Sequence, residues 1–114
     1  MAASSRRRLI RSIRELNEAS ADLRENLQRY ERSMSKIAER LEKGENAVRA
    51  ANGTSIPSER RRVTEAIEDF EAARHQLRLA LIVLGREEGA SLTEIGQALG
   101  ISRQLASRLA GETE

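Results

Sequence analysis

A chain of 114 residues with 33% charged side chains, 2% aromatics and a single proline is expected to form one domain, or one small globular module on an extended helical one. That balance suits helical or coiled-coil packing rather than an α/β core. With no cysteine it has no disulfide, no thiol nucleophile and no Cys-based zinc site. The formal net charge is only +2, so attraction to a polyanion has to come from local clustering.

The first such cluster is a basic N-terminal arm, Arg6, Arg7, Arg8, Arg11 and Arg14. Leu9-Ile10 gives way at once to Arg11, whereas a secretory signal needs a longer apolar stretch. No run approaches the ~20 apolar residues that span a bilayer, and a cytoplasmic location is expected. From Leu9 the apolar positions alternate four and three: Leu9, Ile13, Leu16, Ser20, Leu23, Leu27, Tyr30, Met34, Ile37 and Leu41, with Ser20 the one polar member. That is a heptad repeat, and it predicts a long amphipathic helix whose seam must be covered.

Gly44 to Pro57 reads as a loop punctuated by Asn52-Gly53, with Ser55 or Ser58 available to cap the next helix. A second four-three series then runs Val63, Ile67, Phe70, Arg74, Leu77, Leu81 and Leu84. Two helices of similar length joined by a short connection favour an antiparallel hairpin. The positions beside this seam are small: Ser12, Ala19, Asn26 and Ser33 in the first helix, Ala66, Ala73 and Ala80 in the second. Helix propensity alone would not place the alanines on one stripe. Small flanks let axes approach and widen the buried face, which points to a bundle, most simply two hairpins in a four-helix homodimer. A second basic patch, Arg60, Arg61 and Arg62, opens the second helix.

Leu77 to Leu84 is apolar on nearly every face and must be covered all round. It is expected to end the hairpin and also to form the first helix of a C-terminal head, with Gly89 as C-cap candidate. Ser91 with Glu94 makes a capping box. Ile95 and Leu99 share one face, Gly100 suits a left-handed helix end, Ile101 plugs the corner and Ser102 is a good N-cap. Leu105 and Leu109 turn back to the core, and Gly96 and Ala106 are small where two helices cross. This is the layout of a helix-turn-helix.

The segment Leu92 to Leu109 resembles the helix-turn-helix of bacterial regulators and of the promoter-reading region of sigma factors, through Glu94-Ile95-Gly96, Leu99-Gly100-Ile101-Ser102 and Arg103-Gln104. The resemblance covers only the C-terminal part of the chain. It implies that the helix starting at Ser102 is a recognition helix, residues 102–110, placed in the major groove of double-stranded DNA. Arg103, Gln104, Ser107 and Arg108 face away from the expected core and suit base edges and phosphates. Thr93 at the start of the preceding helix and Arg6, Arg7 and Arg8 complete the candidate DNA-binding set. The plainer alternative is a helical hairpin that closes the end of a coil.

The expected fold is therefore all-α: a long antiparallel helical hairpin (residues 1–75) that dimerises as a coiled coil or four-helix bundle, with a helix-turn-helix head (76–114). The expected function is a dimeric, sequence-specific transcriptional regulator. Two alternatives stand beside it, a coiled-coil adaptor whose head binds another protein and a low-specificity architectural DNA-binding protein. An enzyme is not expected. His75 is the single histidine, and Glu68, Asp69 and Glu71 crowd one polar face without a convergent pocket. The glycines at 85, 89, 96 and 100 make no phosphate loop. No cofactor or metal is expected.

Overall fold

The computed structural model describes residues 2–114, and among them every regular element is helical. The five helices are α1 (Ala2–Glu42), α2 (Ala47–Asn52), α3 (Ile56–Glu87), α4 (Leu92–Leu99) and α5 (Arg103–Gly111). No helix among the described residues is long and apolar enough to cross a membrane. The contacts divide into two compact units: Ala19–Phe70, and a second made of the chain up to Glu18 together with Glu71–Glu114. The second unit thus joins the start of α1 to the C-terminal residues.

In the unit Ala19–Phe70, α1 persists to Glu42 because nothing before Gly44 breaks it: the stretch holds neither glycine nor proline. The connection expected as loop holds α2, a six-residue helix capped by Asn46, whose side chain accepts the Arg49 N–H at 2.9 Å. Beyond α2 the guanidinium of Arg40 lies where a β-carbon on Gly53 would be, 1.5 Å from that position. Any side chain there would have to displace it. Ser55 stands at the N-cap position of α3, its carbonyl accepting the Glu59 N–H at 3.0 Å, while the Ser58 hydroxyl donates back to that carbonyl. Pro57 falls in the first turn, where a helix has no use for its missing N–H.

The buried residues of this unit are small: Ser33, Ala50 and Ala66. Ser33 donates its hydroxyl to the Glu59 carboxylate, and Ala66 lies one heptad beyond Glu59. The large seam residues sit further out. Leu27, Leu41 and Ile67 are 39%, 46% and 46% exposed, and Leu23, Tyr30, Met34 and Ile37 are half-buried.

The second unit repeats the pattern. On α1, Ser5 and Ser12 are buried, and Ser5 donates to Glu87 of α3 at 2.8 Å. Arg6 pairs with Glu88 beside it. Ala80, one heptad before Glu87, is fully buried. In neither unit is a member of the four-three series of α1 fully buried. The buried positions on these faces belong instead to small side chains, Ser5, Ser12 and Ser33 on α1 and Ala66 and Ala80 on α3, and a small side chain is the one that lets two helices approach. The flanking stripe, rather than the apolar series, is the centre of packing.

Leu79 and Ile82 of α3, Ile95 of α4 and Leu109 and Ala110 of α5 form a single hydrophobic cluster, with Leu81, Ala90, Leu92, Leu99, Ile101 and Leu105 packed on it half-buried. The all-round apolar end of α3 is consumed here. Burial of a side chain such as Ile82, which is wholly inaccessible, contributes ~1.5–3 kcal/mol.

Candidate nucleic-acid interface

The pair α4 and α5 is built from local chemistry at each end. Ser91 accepts the Glu94 N–H at 3.1 Å and its own N–H is accepted by the Glu94 carboxylate at 3.1 Å, a complete capping box. The Ser91 backbone N–H, and then its hydroxyl, hold the Glu94 carboxyl below its ordinary value of 4.5. At the other end Gly100 takes φ 70°, ψ 30°. Its N–H reaches the Gln97 carbonyl and the Ile101 N–H reaches the Gly96 carbonyl at 2.9 Å, the double closure of a Schellman motif. The same closure ends α3 at Gly89, with Ala90 reaching the Gly85 carbonyl.

Two glycines set how closely the elements approach. A β-carbon on Gly96 would lie 3.0 Å from the Ile101 carbonyl oxygen and 3.5 Å from that of Ser102. One on Gly85 would lie 3.1 Å from Cδ1 of Ile95. Ser102 then caps α5, accepting the Leu105 N–H at 3.0 Å. Three residues, Gly100 to Ser102, turn the chain between the two helices.

On α5, Ala106, Leu109 and Ala110 are buried and Leu105 is half-buried, while Arg103, Gln104, Ser107 and Arg108 are all exposed. At 100° per residue the exposed four occupy an arc of roughly 140° on one side of the helix. None of their side chains takes part in an ion pair or side-chain hydrogen bond among the described residues. The far end of α5 is tied to α3: His75 Nε2 lies 3.1 Å from Glu112, and Arg86 lies 3.9 Å from Glu114.

The remaining candidates separate. Thr93 is exposed in the first turn of α4. Arg6 is exposed but engaged by Glu88, Arg8 is half-buried, and Arg7 is exposed. The Arg6–Glu88 pair joins residues 82 apart, and no local pattern announces it. Arg60, Arg61 and Arg62 lie near the start of α3, in the other unit, and all three are exposed.

Compared with protein-family models, curated proteins and solved structures, the chain finds no match.

Proposed function

We propose that this protein binds double-stranded DNA sequence-specifically, as a dimeric transcriptional regulator with α4 and α5 as a helix-turn-helix and α5 as the recognition helix. The observation that carries this reading is the combination on α5 of a buried face fixed by Ala106 and Leu109 with an outward face of Arg103, Gln104, Ser107 and Arg108 free of internal partners. Arg and Gln present the bidentate donor and acceptor geometry that reads guanine and adenine edges in the major groove. The exposed face of α5 carries no aromatic side chain, and aromatics are the usual anchors of protein hot spots. That favours the DNA reader over the adaptor.

In this reading α1 and α3 form an antiparallel hairpin. Two hydrogen bonds support it: from Ser5 to Ser33 is four heptads forward on α1, and from their partners Glu87 to Glu59 is four heptads back on α3. The hairpin dimerises through the large apolar residues that each chain leaves half-covered, and the protein works in the cytoplasm.

Fragments selected from genomic DNA by the purified protein give the site. On that site Arg103→Ala is expected to weaken binding by ~1–3 kcal/mol and to relax the preference at one base position. Unchanged affinity and preference, with helicity intact by circular dichroism, would remove α5 as the recognition helix.

A further inference from the structure

We infer that Arg7, Arg11 and Arg14 of α1 form a rail for the phosphate backbone of a nucleic acid, a second contact that rests on the DNA-binding reading above. The three are four and three residues apart and line one shallow groove with Ile10. All three are exposed. By helical rotation their face lies roughly 150° from Ser5 and Ser12, the residues of α1 that are buried. The rail therefore faces away from the packing against α3.

Other arginines, Arg103 and Arg108 among them, also lack an internal counter-charge among the described residues. What sets this trio apart is that all three line one groove whose lining holds no carboxylate. Arg6 is paired with Glu88, Arg29 with Glu25, Arg40 with Glu45, Arg74 with Glu71 and Arg86 with Glu114. Arg7, Arg11 and Arg14 join no ion pair among the described residues, although Glu15 and Glu18 stand four residues on from Arg11 and Arg14. Three guanidiniums on one face, left to solvent, repel one another, and a line of phosphates relieves that repulsion.

The dimensions agree. Arg7 to Arg14 spans ~10 Å at ~1.5 Å per residue, and one DNA strand advances ~3.4 Å along the duplex axis per phosphate, so the three arginines cover about three phosphate steps. The rail also has a fixed origin. Ser5 and Arg6 are bonded to Glu87 and Glu88 at the end of α3, and α4 begins at Leu92, so Arg7 comes directly after a clamp to the helix that leads into α4. An anionic membrane is the poorer partner: such a helix needs a broad apolar face, and Ile10 is the one apolar residue in the groove.

The test is a salt titration of the full chain on a long random-sequence duplex, comparing the protein with a variant carrying Arg7→Gln, Arg11→Gln and Arg14→Gln. Each phosphate contact contributes ~0.9 to the slope of log K against log salt, so the triple variant is expected to lose ~2–3 from that slope. Arg103→Ala is expected to lose no more than ~1. The matching triple lysine variant should restore the slope, which a merely structural role for the arginines would not produce. An unchanged slope in a glutamine variant of normal helicity overturns the rail while leaving the α5 reading in place. No duplex binding by the unaltered protein overturns both. Loss of binding to phosphatidylserine vesicles with DNA binding untouched assigns the stripe to a membrane and also overturns it.

Discussion

Gly96 and the carbonyl oxygen of Ile101 approach so closely that a β-carbon on the glycine would lie 3.0 Å from that oxygen. The oxygen cannot easily yield. Ile101 is held by its own N–H on the Gly96 carbonyl at 2.9 Å, and the preceding Gly100 is fixed in the left-handed region. Gly85 is crowded to a similar degree, but by the Cδ1 and Cγ1 atoms of the Ile95 side chain. A side chain can shift where a pinned backbone cannot.

This contrast gives a paired prediction. Alanine gains ~1 kcal/mol over glycine in a helix interior, and overpacking costs ~1–3 kcal/mol. Gly96→Ala is expected to be destabilising by up to ~2 kcal/mol, and Gly85→Ala to lie near zero or below because Ile95 moves. Thermal or urea unfolding of both variants checks the order. Equal losses would mean that the α4–α5 corner is softer than its hydrogen bonds imply.

The corner and both caps were legible because their chemistry is local. Ser91, Glu94, Gly100 and Ser102 each act on backbone groups within a few residues, so sequence alone places them. The packing seam was legible only in part. Apolar periodicity ranks positions by hydrophobicity, which brings Ile13 and Leu27 forward, yet both are exposed, while Ser5, Ser12 and Ser33 are buried. Close approach of axes rewards smallness, and a serine there needs a partner such as Glu87 or Glu59, which only the folded chain supplies. α2 escaped because six residues hold too little periodicity to show, and its flanking glycines and asparagines resemble a loop; only Asn46 signals its start.

The capping box carries a pH prediction. The Glu94 carboxyl is held below its ordinary value by the Ser91 N–H and hydroxyl, so folding favours the ionised form. For a depressed carboxylate, the stabilisation is present above the ordinary value of 4.5 and is lost as pH falls through the lowered folded value. Glu94→Gln keeps an acceptor for the Ser91 N–H but removes the titration. It is expected to flatten the decline in stability on acidification below 4.5, measured as the difference in unfolding midpoint between neutral and acid buffer. An identical decline in both proteins would show that the box adds nothing through charge.

The assembly makes a separate claim. Leu27 and Ile67 are exposed in the single chain, at 39% and 46%, so a glutamate at either position meets water in the monomer and costs its fold little. In a dimer that covers them, each unpaired carboxylate carries a penalty of several kcal/mol. Leu27→Glu combined with Ile67→Glu is therefore expected to keep its helicity and lose its dimer by light scattering. An unaltered protein that scatters as a monomer at tens of micromolar would remove the dimer itself.

A two-fold dimer fixes the form of the DNA site. The two copies of α5 are then related by the same axis and read inverted half-sites. Binding one face of the duplex requires half-site centres about 34–36 Å apart, or a multiple, which is ~10 base pairs per turn. α5 is held to α3 by the cluster of Ile82, Ile95 and Leu109, and by the His75–Glu112 contact, so its position within its own unit is not free to adapt. Inserting five base pairs between the half-sites turns one to the opposite face. Two linked readers gain from effective concentration only when both engage, so the insertion is expected to remove most of the affinity, and ten base pairs to restore part of it. Gel-shift titration on the three spacings decides the matter. Equal affinity at all three would mean that the heads act independently, and that the helices serve as a stalk for another protein rather than as a ruler on DNA.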